Sequence, residues 1–157
     1  VWNHINQCSI IKEVIKAYLL SCGHEVEDCG ADTYDKHDDY PLYIAKAAAA
    51  VAREEGSRAI VFGGSGQGEA MVANRVPGVR AVVYYGQPSS VQTDADGEKL
   101  TIIAGSRIHN DANVLSLGAR FLNESEAVAA TEEWLATEFS EAERHQRRIA
   151  MIDEVIS

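Results

Sequence analysis

The feature that most limits what this chain can fold into is a junction near its middle. Residues 58–62 (RAIVF) are a short apolar run bounded by charge and by glycine, and Gly63 to Gly68 (GGSGQG) follow at once. Such a run, without polar alternation, predicts a strand buried on both faces. Glu69 to Asn74 then predict a short helix ending before Pro77-Gly78. A strand, a glycine turn and a helix in that order belong to open α/β sheets, whose ligands bind beyond the carboxyl ends of the strands.

The rest of the pattern agrees with a single domain spanning 1–157. Ile10, Ile11, Val14, Ile15, Tyr18 and Leu19 fall on one helical stripe, and Gly23 stands where a C-terminal cap belongs. His24 to Gly30 predict a short strand. Asp39-Tyr40-Pro41 opens an alanine-rich helix ending near Glu55-Gly56, with Asp39 as its cap. Val79 to Tyr85 and Val114 to Leu117 predict further strands, and residues 86–99 are turn-rich. Residues 100–108 suit a strand by their LTII start and a helix by the order of elements. Residues 124–139 and 143–156 predict two terminal helices, with Trp134 in the core. The stub before residue 10 is short for a first strand and reads as a short edge strand or as a truncated or remodelled start. Strands alternating with helices predict an α/β class with a parallel sheet covered on both faces.

Composition narrows the function. A net charge of −10 disfavours nucleic-acid and membrane-surface binding, which need a basic footprint. An anionic small substrate would need a local basic pocket. Three cysteines (Cys8, Cys22, Cys29) form no CxxC, which predicts a reducing compartment and small apolar packing for each. No apolar run approaches the ~18 residues of a membrane span. No start resembles a signal peptide, so the expectation is a cytoplasmic protein. No histidine–cysteine spacing suits a metal, so neither metal nor cofactor is expected.

Four groups carry candidate chemistry. The GGSGQG turn presents backbone N–H groups that suit a negative oxygen, and equally suits a plain strand-to-helix turn. Glu69, directly after it, suits a general base beside an oxyanion-binding loop, or a solvated carboxylate at a helix start. His109-Asn110-Asp111-Ala112-Asn113 suits a proton shuttle, or a turn with local backbone bonds. Arg144 and Arg148, four apart on one helical face, suit a phosphate clamp that Arg120 could join, or a face paired to Glu141, Glu143 and Asp153.

Taken together, the ordered set Asp39-Tyr40-Pro41, GGSGQGE at 63–69 with ANRVPGVRA at 73–81, HNDANVL at 109–115, LGAR at 117–120 and RHQRRI at 144–149 resembles the ribose-5-phosphate isomerase B family. That family also includes allose-6-phosphate and galactose-6-phosphate isomerases. The resemblance covers roughly residues 10–152. It implies a Rossmann-like three-layer α/β/α sandwich with about five parallel strands. It implies a homodimer or dimer of dimers with composite active sites, the helix at 143–156 packing on the partner subunit. The implied reaction is metal-independent and cofactor-free aldose–ketose isomerisation of a phosphorylated sugar through an enediolate, ribose 5-phosphate to ribulose 5-phosphate first. Hexose-6-phosphate isomerisation and mere sugar-phosphate binding are the alternatives.

Many members of the family carry a cysteine base at the position of Gly63. This chain has Gly63 and Glu69 and resembles the glutamate-base subgroup. Carried over, Glu69 is the base, the backbone of Gly64, Gly66, Gln67 and Gly68 with the Ser65 hydroxyl holds the oxyanion, and His109 donates a proton in ring opening. Asn110 binds sugar hydroxyls, Arg120, Arg144 and Arg148 take hydroxyl and phosphate contacts, and Tyr40 lines the pocket. Two departures stand out. The family's Asp-His-Ala-Gly after its first strand is replaced near residues 4–6, where Ile5 and Asn6 align and His4 fits only with a two-residue shift. The segment 86–106 is longer than usual and is expected to cover the pocket or to be a surface insertion.

Overall fold

The computed structural model describes residues 4–31, 37–90, 92–95 and 97–155, with only the backbone described at 4–6 and 92. Three strands make a parallel sheet in the order β1-β5-β2: β1 is Ala59–Gly63, β5 Val114–Gly118 and β2 Ala81–Tyr84. Between β2 and β5 lie a two-stranded antiparallel hairpin, β3 (Gln92–Thr93) and β4 (Lys99–Leu100), and helix α4 (Ile102–Asn110). The parallel sheet thus has three strands among the described residues, where about five were expected.

The sheet's alternation decides what each face holds. Leu115 and Leu117 of β5, with Ile60 and Phe62 of β1, pack toward α1 (His4–Ser21), Ile103 of α4 and α5 (Glu124–Ala136). Val114 and Val61 point the other way, into a core made by Ile44, Ala48 and Val51 of α2 (Tyr40–Arg53), Ala73 of α3 (Gln67–Ala73) and Val79. Helices therefore cover both faces. Every residue of β5 is buried, as a central strand of a parallel sheet requires. Trp134 of α5 is fully buried, with the Arg58 and Arg107 guanidinium groups 5.7 and 5.8 Å from its ring. Truncating such a side chain costs about 3–5 kcal/mol.

Several elements differ from expectation. The first helix takes in His4 onward, so residues 4–9 are helical and form no edge strand. Helix continuation brings Cys8 onto the face of Ile11, Ile15 and Leu19, at i, i+3, i+7 and i+11. Ile10 is exposed, off that face. Residues 24–30 are not a strand. They run extended beside α1, tied by Asp28, which accepts from Lys12 and Lys16 at 3.0 Å each. Asp39 caps α2 without a side-chain bond. Segment 100–108 is both things in turn: Lys99–Leu100 pairs as a strand, and Thr101 caps α4, its Oγ1 accepting from Ala104 N–H. Cys8 is half-buried and packs against the core as expected, whereas Cys29 is half-buried outside it and Cys22 is exposed. Helix α5 ends at Ala136, and α6 runs from Glu143 to Glu154.

The unpaired edge of β1 faces a large cavity of about 1280 Å³ between α1, residues 24–31 and α2. Among the described residues, no helix is long and apolar enough to cross a membrane.

Asp28 makes the tie between residues 24–31 and α1 pH-dependent. Burial pushes its carboxyl up, but Lys16, the Gly30 N–H and Lys12 outweigh that and bring it down to about 2. A carboxyl depressed below its unfolded value of 3.8 contributes stability above that pH and loses it as the pH falls toward 2. Unfolding of Asp28→Asn, followed by circular dichroism from pH 6 to pH 2, should therefore lose less stability across that window than the parent chain.

Candidate active site

The register of β1 on β5 builds the site. Gly63 pairs with Gly118, so the chain leaves both strands at the same edge of the sheet. Ala119 N–H donates to the Gly63 carbonyl at 2.8 Å, and Arg120 N–H to that of Gly64 at 3.1 Å. Ser116, wholly buried on β5, donates its hydroxyl to the Gly66 carbonyl at 2.7 Å. Gly66 itself adopts φ +75°, a left-handed conformation that favours glycine, and starts α3. The loop is thus pinned to the neighbouring strand before α3 begins.

Glu69 lies in the first turn of α3 and is 8% exposed. Residues 59, 61 and 63 of β1 share the face that meets α3, so Gly63 looks directly at Glu69. A Cβ on Gly63 would overlap the Glu69 carboxyl group outright. A side chain at position 63 and a carboxylate at 69 compete for one volume. Among the described residues no hydrogen bond or ion pair reaches that carboxylate. It borders the cavity together with Cys8, Gly63, Gly64, Tyr40 and Arg120. The Arg120 guanidinium lies over Gly64, within 3 Å of where a Cβ would stand, and the Tyr40 hydroxyl lies against Gly68. Ser65 is half-buried, and its Oγ accepts from Gln67 N–H at 3.4 Å.

Cys8 belongs to this group, and sequence reasoning did not single it out as a site residue. Burial pushes its thiol up, the Glu69 charge pushes it further, and Arg120 opposes them. Its signal was present: continuing the helical stripe one turn back from Ile11 puts Cys8 on the buried face.

The second half of the expected set lies elsewhere. His109 and Asn110 occupy the last turn of α4 rather than a free turn. The Asn110 and Asp111 carbonyls accept from Arg80 Nε at 3.0 Å each, and Asn113 Oδ1 accepts from Arg80 N–H at 2.8 Å. Arg80 leads into β2, so these residues sit at the amino ends of the strands. The length of β5, roughly 13 Å at 3.3 Å per residue, separates them from Glu69. Much of the polar pattern at 73–81 and 109–113 is structural. Asn113 Nδ2 donates to Gly78, Asn74 bonds both ways with Ala81, and Asp111 takes ion pairs from Arg80 and Arg107.

Beside His109 stands α6. The His109 and His145 rings are 4.8 Å apart. Arg144 Nε donates to His145 Nε2 at 3.2 Å, which leaves His145 Nδ1 to donate to Ser140 Oγ at 2.7 Å. Arg148 is exposed on the same helix, and Asp153 is engaged by Gly78 N–H. One chain therefore gathers Glu69, Ser65, Gly64, Gly66, Gln67, Gly68, Tyr40 and Arg120 at one end of the sheet. It gathers His109, Asn110 and Arg144, with Arg148 on the same α6, at the other. The side chains near residues 4–6 lie outside the described residues.

A three-layer α/β sheet with a carboxylate held unpaired against a glycine loop defines a class of proton-transfer sites. Comparison with known proteins specifies it. The family model for ribose/galactose isomerases matches residues 6–152. The ribose-5-phosphate isomerase B of Mycobacterium tuberculosis is 40% identical over 144 residues, covering 92% of this chain and 81% of that protein. The structure of ribose-5-phosphate isomerase B from Mycoplasma genitalium with bound ribulose-5-phosphate superposes with a TM-score of 0.80 at 30% identity, covering 96% of this chain and 90% of that one. The Clostridium thermocellum ribose-5-phosphate isomerase B gives 0.78 at 35% identity, over 98% and 92%. This chain belongs to the ribose/galactose isomerase family.

The shared volume at positions 63 and 69 can be measured directly. Gly63→Ala should destabilise the fold by about 1–3 kcal/mol, the usual cost of overpacking. Adding Glu69→Ala should recover most of that loss, because the overlapping group is gone. Denaturant unfolding of the two single variants and the double variant checks this, and strict additivity would show that the two positions do not compete.

Proposed function

We propose that this chain interconverts ribose 5-phosphate and ribulose 5-phosphate, with Glu69 as the base. The chain is an aldose–ketose isomerase. The observation that carries the catalytic assignment is the Glu69 carboxylate, nine-tenths buried, unpaired and facing a cavity beside a glycine loop.

Glu69 takes the C2 proton of the open-chain aldose, and the electron pair moves into the C1–C2 bond as the C1 carbonyl oxygen becomes an oxyanion. The Gly64 to Gly68 backbone and the Ser65 hydroxyl donate to that oxygen. One such donor contributes about 2.7–4 kcal/mol to barrier lowering. The same carboxyl then returns its proton to C1 while the O2 proton moves to O1, which yields the ketose. Arg120, with no ion-pair partner among the described residues, supplies positive charge to this half of the site.

The furanose form must first open. The C1–O4 bond breaks, O4 takes a proton from His109, and the O1 proton leaves to water as C1 becomes the aldehyde. His109 stands a strand length away from Glu69 of its own chain, so the His109 used at each site belongs to a second copy. Arg144 and Arg148 accompany it on α6 as the phosphate clamp, and Asn110 as a hydroxyl ligand. This supports a homodimer or dimer of dimers with composite sites. The hairpin at 92–100 stands on the His109 side and does not line the Glu69 cavity of its own chain, so it borders a site only through such an assembly.

Glu69→Gln should lower turnover of ribose 5-phosphate by about 10²–10⁴-fold, the usual range for a general base, with sugar-phosphate binding retained by calorimetry. Parent-like turnover would remove Glu69 from this role. Mixing and reassembling the separately inactive Glu69→Gln and His109→Gln chains should restore part of the activity, since one site in a mixed dimer receives both intact halves. No recovery despite mixed assembly would place both groups in one chain.

A further inference from the structure

We propose that Asp94, carried by the β3–β4 hairpin, is the positioning residue for His109: its carboxylate faces Nε2–H of the imidazolium, so that Nδ1–H is the proton given to the sugar and the Nε2–H tautomer is what remains. The functional half of this inference rests on the proposed role of His109 in ring opening; the contact itself does not.

The hairpin's geometry explains how Asp94 arrives there. Strand β4 runs into Thr101, the cap of α4, so hairpin and helix are joined at one end and lie side by side. From Glu98 to Thr101, three strand residues span roughly 10 Å. From Ile102 to His109, seven helical residues span roughly 10.5 Å. The turn of the hairpin therefore comes level with the last turn of α4. Asp94 faces Glu98 across that turn, donating its N–H to the Glu98 carbonyl at 2.9 Å. Gly97, at φ +85°, allows the reversal.

The carboxylate is held before it meets the histidine. Asp94 Oδ1 accepts from Glu98 N–H at 2.9 Å, so Oδ2 is directed by the turn. Oδ2 stands 3.9 Å from His109 Nε2, with the Asp94 side chain 12% exposed and that of His109 25% exposed. This is a charge contact with room to tighten into a hydrogen bond, as sites without substrate commonly show. The groups around the ring are Asp94 from the hairpin and His145 from α6, the latter engaged by Arg144 and Ser140. A carboxylate on one ring nitrogen sets the tautomer and aims the other, the logic of an oriented catalytic histidine. The length of the 86–106 segment thereby finds a use, since it delivers one acceptor to one imidazole.

Asp94→Asn is the discriminating variant, because its Oδ1 keeps the bond from Glu98 while an NH₂ replaces the acceptor facing His109. Nitrogen-15 spectra of the histidines at alkaline pH, assigned through His109→Gln, should show the proton on Nε2 of His109 in the parent and on Nδ1 in Asp94→Asn. Asp94→Ala should lose the preference for either. In the same variants kcat for ribose 5-phosphate should fall about 10- to 100-fold, typical of losing an orienting partner, with KM little changed. The fixed equilibrium between the two sugars requires kcat/KM for ribulose 5-phosphate to fall by the same factor, so the nitrogen spectra are what separate lost orientation from a general loss of activity. An Nε2 proton retained in both variants, or kcat for ribose 5-phosphate unchanged in both, would overturn the assignment. If the parent chain turned over neither sugar, the proposed function would fall, and the nitrogen spectra would still decide whether Asp94 orients His109.

Discussion

The parallel pairing of β1 with β5 is the interaction on which the rest depends. Its register brings Gly63 level with Gly118, and both strands end at the same point of the sheet. Backbone bonds from Ala119 and Arg120, and the buried Ser116 hydroxyl, then stitch the glycine loop onto the neighbouring strand. A slip of one residue along β5 would turn Ser116 to the opposite face with Leu115 or Leu117 in its place, and a slip along β1 would do the same to Gly63 with Phe62 or Gly64. The loop would lose its anchor and Glu69 its berth. The hydrophobic faces enforce that register, since Leu115, Leu117, Ile60 and Phe62 share one core and Val114 and Val61 the other.

Within that frame, one volume decides which side chain stands at the end of β1. Gly63 has no side chain, and the Glu69 carboxyl group fills the space a Cβ would need. A side chain at position 63 and a carboxylate at 69 are therefore alternative occupants of one space. Arg120 over Gly64 and the Cys8 thiol beside both charges complete the wall. In a chain with a net charge of −10, such local placement of arginine is what lets an anionic sugar approach.

The polarity of a parallel sheet explains the division of the candidate residues. Loops after the strands and loops before them lie at opposite ends, so Glu69 and His109 cannot meet within one copy. Arg80, Asp111, Asn74 and Asn113 brace the amino-terminal end, where their side chains close backbone bonds that the short strands leave open. That end carries His109, with Asp94 and His145 beside its ring, away from Glu69 of its own copy.

Much of this was legible in the chain itself. Local composition determined the strand at 59–63, the glycine turn, the alanine-rich helix after Tyr40, the terminal helices and the order of the motifs. These depend on short-range propensity and periodicity. The sequence also singled out Glu69, which follows its loop directly. Only the tertiary structure decided that residues 24–30 run beside α1 without pairing, held by Asp28 to two lysines rather than by a ladder. It alone showed Ser116 reaching Gly66 across 50 positions, Cys8 beside Glu69, and Asp94 level with His109. These depend on which strand neighbours which and on where a hairpin ends along a helix. Such contacts join residues far apart in the chain, and no local pattern encodes them.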